Sequence, residues 1–599
     1  PAKLLPGISP IRGKELSLPK TSCSVFMSTN LDYILRNLNV EQLVICGQLT
    51  DQCVESAVRD AADLGYLVTV VEDACAANNE DSHRKGLHGT KGFARTVQTE
   101  QVLQELSGNN NSASITHNEE MHSSAENRAS PKPTGHSIPK PSEYVSNRGH
   151  GCQAALLRSL RAAGVKFLRY AIVDAFNTIR SKVVPLSRTQ ILWKKSSRSP
   201  LENPVSIAEV CFAGLPTHAD VAVPSSNLTG QNVLTLQPDL SSLRILPYAP
   251  STAMIMCTAH NQHSKEVSPL CTRGLLERVL QEARERFSME FCVGAEIEFQ
   301  LYHHEKKDGL PQPVDTTTFA NTGTLNEQND FIVELYDQLG EQDILVELIH
   351  AESGPGQLEV VLSYSSNVIQ LADDVVLARD TISACAKKHG MKALFLPKTS
   401  MMTAGNGLHL HFSFRNVGSK ANMFSDPKEA TGISQEGGSF IEGILGHLPS
   451  LLSFSLPTNN SFRRIGPGCW TGSTIVWSTE DKEVPLRVCI DLDTNQATNV
   501  ELKLSDATAN IYLEIAMILS AGMDGMKNKK KLRPMVTDAT SGAPLPQSLQ
   551  ESLDLLKTNE FLKSVLGPEL STAYVAVRES EAELEKSLEE EVMDAFNKA

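Results

Sequence analysis

Glu296 and Glu298 lie two apart in the run 292–301 (Cys-Val-Gly-Ala-Glu-Ile-Glu-Phe-Gln-Leu). Side chains alternate along a strand, so both carboxylates share one face and Ala295, Ile297 and Phe299 the other. Such neighbours repel and persist when water solvates them or a cation sits between them. Alone, the pair fits an exposed strand face as well as an ion site. The pattern recurs. Glu352 and Glu359 follow in 350–359, with Glu359 opening the apolar strand 360–362. Gly405-Asn406-Gly407 leads into 408–413, where His409, His411 and Ser413 face one way and Leu408, Leu410 and Phe412 the other. A His pair there would, by itself, more often belong to a core than to a ligand set. Glu501 and Lys503 stand opposite Val500, Leu502 and Leu504. Five carboxylates and a histidine on successive strands form a donor set for hard divalent cations.

Cys53 is a separate candidate. It follows the segment 47–52 and opens a helical pattern that runs to Leu64. Backbone N–H groups at a helix start favour thiolate, which makes Cys53 a candidate nucleophile. A buried structural cysteine is the commoner meaning of such a residue.

The elements that must position these groups fall into at least two domains, because one core rarely grows past about 250–300 residues and the chain has 599. Residues 1–107 read as α/β: a buried strand at 43–46, a helix stopped by Gly65, and a second buried strand at 66–71, hence a parallel βαβ unit. The stretch 108–149 is rich in Ser, Asn, Pro, His and Glu and reads as a disordered linker. Order returns near Gly151 with a helix to Ala163 and a strand at 167–173, and no internal repeat is visible. The net charge of −15 argues against nucleic acid or an anionic membrane as partner, and the basic run 527–531 reads as a solvated turn. No apolar stretch approaches a membrane span, and no signal peptide is visible. The start at Pro1 without Met points to a missing N-terminal piece. Twelve cysteines without a CxxC spacing read as reduced thiols of a cytoplasmic protein.

The acidic segments, in their order, resemble the glutamine synthetase family. Asn460-Ser461-Phe462-Arg463-Arg464 resembles its Asn-Ser-Tyr-Lys-Arg motif. The segment 506–513 resembles its Asp-x-x-Ala-Asn-Pro-Tyr-Leu, with Ile511 in place of Pro, and 395–398 is similar to its Phe-Met-Pro-Lys. The resemblance covers about 450 residues and implies an α+β glutamine synthetase fold: a small β-grasp domain over 150–258 and a catalytic domain over 259–599 with a curved antiparallel sheet. It implies two Mg²⁺ or Mn²⁺ positions, one held by Glu298, Glu352 and Glu359, the other by Glu296, His409 and Glu501. It implies ATP as substrate, with His411, Ser413 and Arg487 in its binding site. Asn406, Gly407, Arg464, Lys503 and Trp470 would bind the other substrates, with Arg464 and Arg487 also catalytic. The implied reaction joins ammonia or an organic amine to the γ-carboxylate of glutamate or a similar acid through an acyl phosphate, in a large ring homo-oligomer of small-molecule enzymes. No Walker A loop is present, as suits this fold.

This chain departs from the family pattern at its ammonia site. Trp470 stands where the family has a Glu, and the stretch 212–216 (Phe-Ala-Gly-Leu-Pro) carries no carboxylate where the family has Asp-Gly-Ser-Ser. Three family arginines are Lys482, Asn499 and Lys503 here; lysine keeps the charge and loses the bidentate fork. These losses are expected of a member that prefers an organic amine, and they would also suit a structural relative without turnover.

Residues 1–107 resemble the isochorismatase-like cysteine hydrolases through Pro19-Lys20, Phe26, Thr29-Asn30-Leu31, 47–54 and 70–75. The resemblance makes Cys53 the nucleophile and Lys20 its charge partner. The family's third member, an Asp, would precede Pro1, so no hydrolase activity is expected of the chain as given.

Overall fold

The computed structural model describes residues 18, 20, 23–29, 31–37, 40, 42–106, 150–195, 205–316, 318–466, 469–491, 493–494 and 496–599. The linker expected at 108–149, and the motif residues Pro19 and Asn30, lie outside them. The chain divides into two compact units, Pro1–Pro131 and Lys132–Ala599.

In the first unit, β1 (Gln42–Gln48), β2 (Leu67–Ala76) and β3 (Ala94–Val97) form a parallel sheet in that order. The helix Glu55–Asp63 joins β1 to β2 and packs Val58 and Ala61 with Val68 and Val70. The expected βαβ unit is present, with one difference. The run 43–46 was expected to be buried, whereas β1 alternates between half-buried and exposed residues, and Val44 is 53% exposed. As the edge strand, β1 has one face that no described element covers.

The second unit holds two sheets. The smaller contains β4 (Phe167–Val173), β5 (Ile179–Pro185), β6 (Ser206–Ala208), β7 (Val233–Pro238), β8 (Arg244–Ile245) and β9 (Thr252–Asn261). Their order is β5-β4-β9-β7-β6, with β8 paired to β9; only β4 and β9 run parallel. Since β9 continues to Asn261, the domain division read from sequence at 258/259 falls inside a strand of this sheet.

The larger sheet comprises β10 (Met289–His303), β11 (Val346–Ala351), β12 (Gln357–Ser365), β13 (Met391–Leu394), β14 (Leu408–Asn416), β15 (Trp477–Ser478), β16 (Leu486–Asp491) and β17 (Gln496–Leu502). Its order is β11-β12-β10-β14-β17-β16-β15, antiparallel except for β15 with β16, and β13 pairs with β10. Val293, Ala295, Ile297 and Phe299 of β10 are at most 1% exposed and share one core with the helices Thr272–Phe287, Val368–Lys388 and Ile511–Lys527. That apolar layer fixes β10 in register and leaves its even positions to the opposite face.

Polar anchors tie the unit together. Asn510 caps the helix Ile511–Lys527 by accepting from Leu513 N (2.9 Å), and its Nδ2 donates to Asp174 O (2.6 Å) at the end of β4. Buried Arg273 bridges Asp373 (3.0 Å) and Asp239 (2.6 Å), and Tyr512 donates to Asp373 (2.6 Å). Such buried charges fix registry more than they add net stability. Among the described residues, no helix is long and apolar enough to cross a membrane.

Candidate active site

Strand register alone assembles the acidic residues. Glu298 pairs with Glu359 across β10 and β12, and Glu359 with His350 across β12 and β11. Glu296 pairs with His409 across β10 and β14. His411 faces Glu501 across β14 and β17, and Glu501 faces Arg487 across β17 and β16. Directly opposed residues point to the same face, so residues more than 200 positions apart meet. All six residues read from sequence as metal ligands line one cavity of about 340 Å³ with His350, Arg464, Lys482, Arg487, Lys503 and Trp470.

The contacts within this cluster are close. His409 Nδ1 lies 3.1 Å from Glu296 Oε2 and 3.6 Å from Glu501, and its Nε2 lies 3.5 Å from Glu298. His350 lies 3.1 Å from Glu352 and 3.8 Å from Glu359. Arg487 Nε donates to Glu501 Oε2 (2.6 Å), and Lys503 Nζ to Oε1 (3.2 Å). Burial raises Glu359 well above the usual carboxylate range, and Glu298, Glu296 and Glu352 add to the rise. Burial works against ionised Glu296 too, but His409 and His411 hold it well below its ordinary value. Against the same penalty, Lys503, His409, His411 and Arg487 bring Glu501 to about 2.

This donor set fits divalent cations. Three trios have ligand atoms within 4.8 Å of one another: Glu296, Glu359 and His409; Glu296, His411 and Glu501; and His350, Glu352 and Glu359. Oxygen-rich donors with one imidazole suit Mg²⁺ or Mn²⁺. The trios differ from the sequence partition. His411, read as an ATP contact, stands with Glu296 and Glu501. His350 joins Glu352 and Glu359, although nothing in the sequence reading singled it out; its place two residues before Glu352 was the available signal. Glu298 belongs to no trio and accepts from Gln357 Nε2 (3.0 Å) and Gly407 N (2.7 Å).

A second cavity, of about 510 Å³, shares Glu296 with the first and is lined by His411, Ser413, Tyr364 and Asn499. His411 Nδ1 lies 2.8 Å from Asn499 Oδ1 and its Nε2 3.0 Å from Glu296 Oε1; both oxygens are acceptors, so the ring donates from both nitrogens as a protonated imidazole does.

Arg464 is 3% exposed at the end of the 3-10 turn Ser461–Arg464, and its Nη1 donates to Ser505 O (2.7 Å). Gly407 abuts it: a Cβ there would come within 2.9 Å of Arg464 Nη2 and 2.5 Å of His409 Nε2, so a larger residue would have to displace the ends of both side chains. Asn406, read as substrate-binding, is fully buried and spends its amide on Leu396 O (2.8 Å) and Leu394 O (3.3 Å). Trp470 is half exposed with φ +60°, and its backbone N–H donates to Glu483 (3.3 Å). Gly472 (φ +77°) completes this turn against Glu483 O, where a Cβ would approach to 2.6 Å. Phe319, half exposed on the same cavity, escaped the sequence reading. Among the residues lining the cavity, the carboxylates are the five of the cluster; Glu483, which accepts from Trp470 N, is not one of the lining residues.

In the first unit, Lys20 Nζ donates to Cys53 Sγ (3.2 Å) and Cys23 O (3.0 Å). Cys53 sits in a π-helical turn, Thr50–Val54, just before the helix Glu55–Asp63. The two residues named from sequence are thus adjacent although 33 positions separate them.

Comparison with known proteins agrees with both halves. The profile described as glutamine synthetase, catalytic domain, matches residues 269–594, and the isochorismatase domain profile matches 1–101. The chain is 30% identical to a glutamine synthetase of Methanococcus voltae over 71% of its length and 94% of the relative's. It is 29% identical to a gamma-glutamylpolyamine synthetase of Streptomyces coelicolor, over 72% and 92%. Among solved structures, a novel glutamine synthase homolog superposes with a TM-score of 0.62 at 22% identity over 72% of this chain and 98% of that one. A GmaS/ADP complex gives 0.60 at 23%, over 74% and 96%. With its cage of carboxylates on a matching fold, the chain belongs to the glutamine synthetase family of ligases and carries an isochorismatase-like segment at its N-terminal end.

Proposed function

We propose that the chain is an ATP-dependent γ-glutamyl ligase that joins glutamate to an organic amine in preference to ammonia. The observation that carries the ligase reading is the meeting of Glu296, Glu298, Glu352, Glu359, Glu501 and His409 in one cavity beside Arg464, Arg487 and Lys503. A scaffold without turnover would not need this set of buried, mutually repelling acids.

The residues take the following roles. Glu296, Glu298, Glu352, Glu359, His409 and Glu501 would hold two Mg²⁺ or Mn²⁺ ions, whose charge offsets that of the polyphosphate and the transferred phosphoryl group. His411 and Ser413 line the neighbouring cavity, where ATP would lie. Arg464 would bind a carboxylate of the amino acid with the donors Ser505 leaves it. The γ-carboxylate oxygen attacks the γ-phosphorus, ADP leaves, and an acyl phosphate forms; Arg487 and Lys503 neutralise the oxygens around it. A neutral amine then attacks the carbonyl carbon, inorganic phosphate departs, and the nitrogen gives up one proton. Closely spaced cations and positioned reactants supply most of such a rate enhancement.

The preference for an organic amine rests on Trp470, which stands half exposed on this cavity where the family has a Glu. Ammonium needs negative charge where it binds, and an indole supplies a ring face instead. An indole face attracts a cation and buries alkyl groups, and a primary alkylamine presents both. The name of the Streptomyces relative, a gamma-glutamylpolyamine synthetase, is consistent with such a nucleophile. Steady-state rates with ammonia and with a series of primary amines test the reading. The expected result is the highest kcat/KM with an amine, and a shift toward ammonia in Trp470→Glu. Ammonia as the best nucleophile, unaffected by that substitution, would overturn it.

A further inference from the structure

We infer that Glu591, on the helix Leu588–Lys598, is a positioning residue for the substrate arginine and the loop that walls the cavity beside it. This rests on Arg464 binding the amino-acid substrate.

The helix is fastened at both ends. Ser587 and Glu590 form a capping box at its start. Near its other end Phe596 is 2% exposed and packs edge-on against Tyr302 at 6.4 Å. Lys392 Nζ lies 4.4 Å over the Phe596 ring and donates to Phe596 O (2.6 Å); Lys306 donates to Asn597 Oδ1 (3.1 Å). The helix is therefore held against β10 and β13, whose strands lead into the cavity.

Between these anchors Glu591, with an 11% exposed side chain, reaches the turn that carries Arg464. Its Oε2 accepts from Asn460 Nδ2 (2.8 Å) and Arg463 Nε (3.1 Å), and Arg463 Nη2 also donates to Lys586 O (3.1 Å). Asn460, 3% exposed, passes the constraint on. Its Oδ1 accepts from Lys398 N (2.7 Å) and its Nδ2 donates to Lys398 O (3.0 Å). Lys398 Nζ in turn donates to Thr403 O (2.7 Å), closing the loop that delivers Ala404 and Gly405 to the cavity wall. Gly405 packs against both partners, since a Cβ there would lie 3.0 Å from Arg464 Cγ and 3.2 Å from Lys398 Cδ. One carboxylate thus fixes both sides of the amino-acid pocket: the turn 460–464 directly, and the loop 398–405 through Asn460. Among the described residues, none of these hydrogen bonds reaches Tyr364, His411 or Ser413, which line the cavity proposed for ATP. A charge-assisted bond shared by two donors resists loosening more than a neutral one, and small displacements of a substrate-positioning group are costly in rate.

The test compares Glu591→Ala, Glu591→Gln, Phe596→Ala and the double variant Glu591→Ala/Phe596→Ala with wild type in steady-state kinetics and amide exchange. Glu591→Ala should raise KM for glutamate about tenfold with KM for ATP unchanged. Gln keeps an acceptor for Asn460 and Arg463 and should recover most of the loss. Phe596→Ala, which frees the helix, should have an effect on glutamate KM that is not additive with Glu591→Ala, as expected of residues acting through one contact. The Lys398 and Asn406 amides should exchange faster in Glu591→Ala, a readout that needs no turnover. Unchanged exchange at both amides would overturn the inference, as would equal rises in both KM values. Absence of glutamate-dependent ADP release in wild type, with faster exchange in the variant, would instead remove the ligase reading and leave the coupling standing.

Discussion

At the scale of single residues, the cavity is an electrostatic problem that a cation solves. Glu359 faces Glu298 across the β10–β12 ladder, and both are at most 6% exposed. Without opposite charge nearby, burial and the neighbouring carboxylates favour the protonated form of Glu359. Removing one member should leave the strands in place while weakening the whole donor set. Glu359→Ala and Glu298→Ala are therefore expected to lower ATP turnover at least about 100-fold, with far-UV circular dichroism unchanged. Turnover retained in both would contradict the ion-site assignment. Isothermal titration with Mn²⁺ should show weakened binding in the same variants, independently of catalysis. Much of this set was legible in the sequence, because acids alternating with apolar residues recur on several strands in the order of the family's motifs, although one such pair alone fits an exposed face as well. His350 was not, since its value comes from facing Glu359, and register cannot be read from one strand alone. The burial of Asn406 was not legible either: its side-chain amide satisfies the backbone of β13 and the turn after it, contacts that no local pattern shows.

At the scale of elements, the helix Ile511–Lys527 carries Glu514 at 0% exposure. Burial pushes its carboxyl well above the ordinary value of 4.5; Ser505 works the other way and Asp506 adds to the rise. The folded protein then holds a proton that the unfolded chain releases above about pH 4.5, so this group lowers stability as pH rises from there toward the raised value. Glu514→Gln removes that dependence. The melting temperature of wild type should fall relative to the variant between about pH 4.5 and pH 7, and the two should converge at lower pH. Parallel curves would mean that Glu514 is ionised in the fold. The sequence showed the motif at 506–513 without showing that a helix follows it, and it showed the strands that became β10, β12, β14 and β17. It could not show that Asn510 links the helix to Asp174, 336 positions away. Nor could it show the exposure of Val44, which depends on what lies beyond β1. The domain division at 258/259 cut β9 because nothing in that strand's composition marks where one sheet ends.

At the scale of the whole molecule, the resemblance implies a ring in which the small domain of one subunit completes its neighbour's site. Apolar groups remain on the outside of this chain around β11 and the helix before it: Leu345 is 67% exposed, Leu348 53% and Tyr336 58%. Exposed apolar surface of this kind marks contact sites. Native mass spectrometry with Mg²⁺ at micromolar concentration should give a large multiple of the chain mass, and a monomer would count against the ring. The isochorismatase-like segment adds a Lys20–Cys53 pair at 3.2 Å; hydrolysis of simple amides that is lost in Cys53→Ser would identify Cys53 as its nucleophile.

The central claim is that this chain forms a γ-glutamyl amide through an acyl phosphate. Its most direct test supplies glutamate labelled with ¹⁸O in the γ-carboxylate, ATP, Mg²⁺ and a primary amine, and follows the label by mass spectrometry. The account predicts one ¹⁸O in each inorganic phosphate released, with the γ-glutamyl amide formed in equal amount. Phosphate released without label would contradict it.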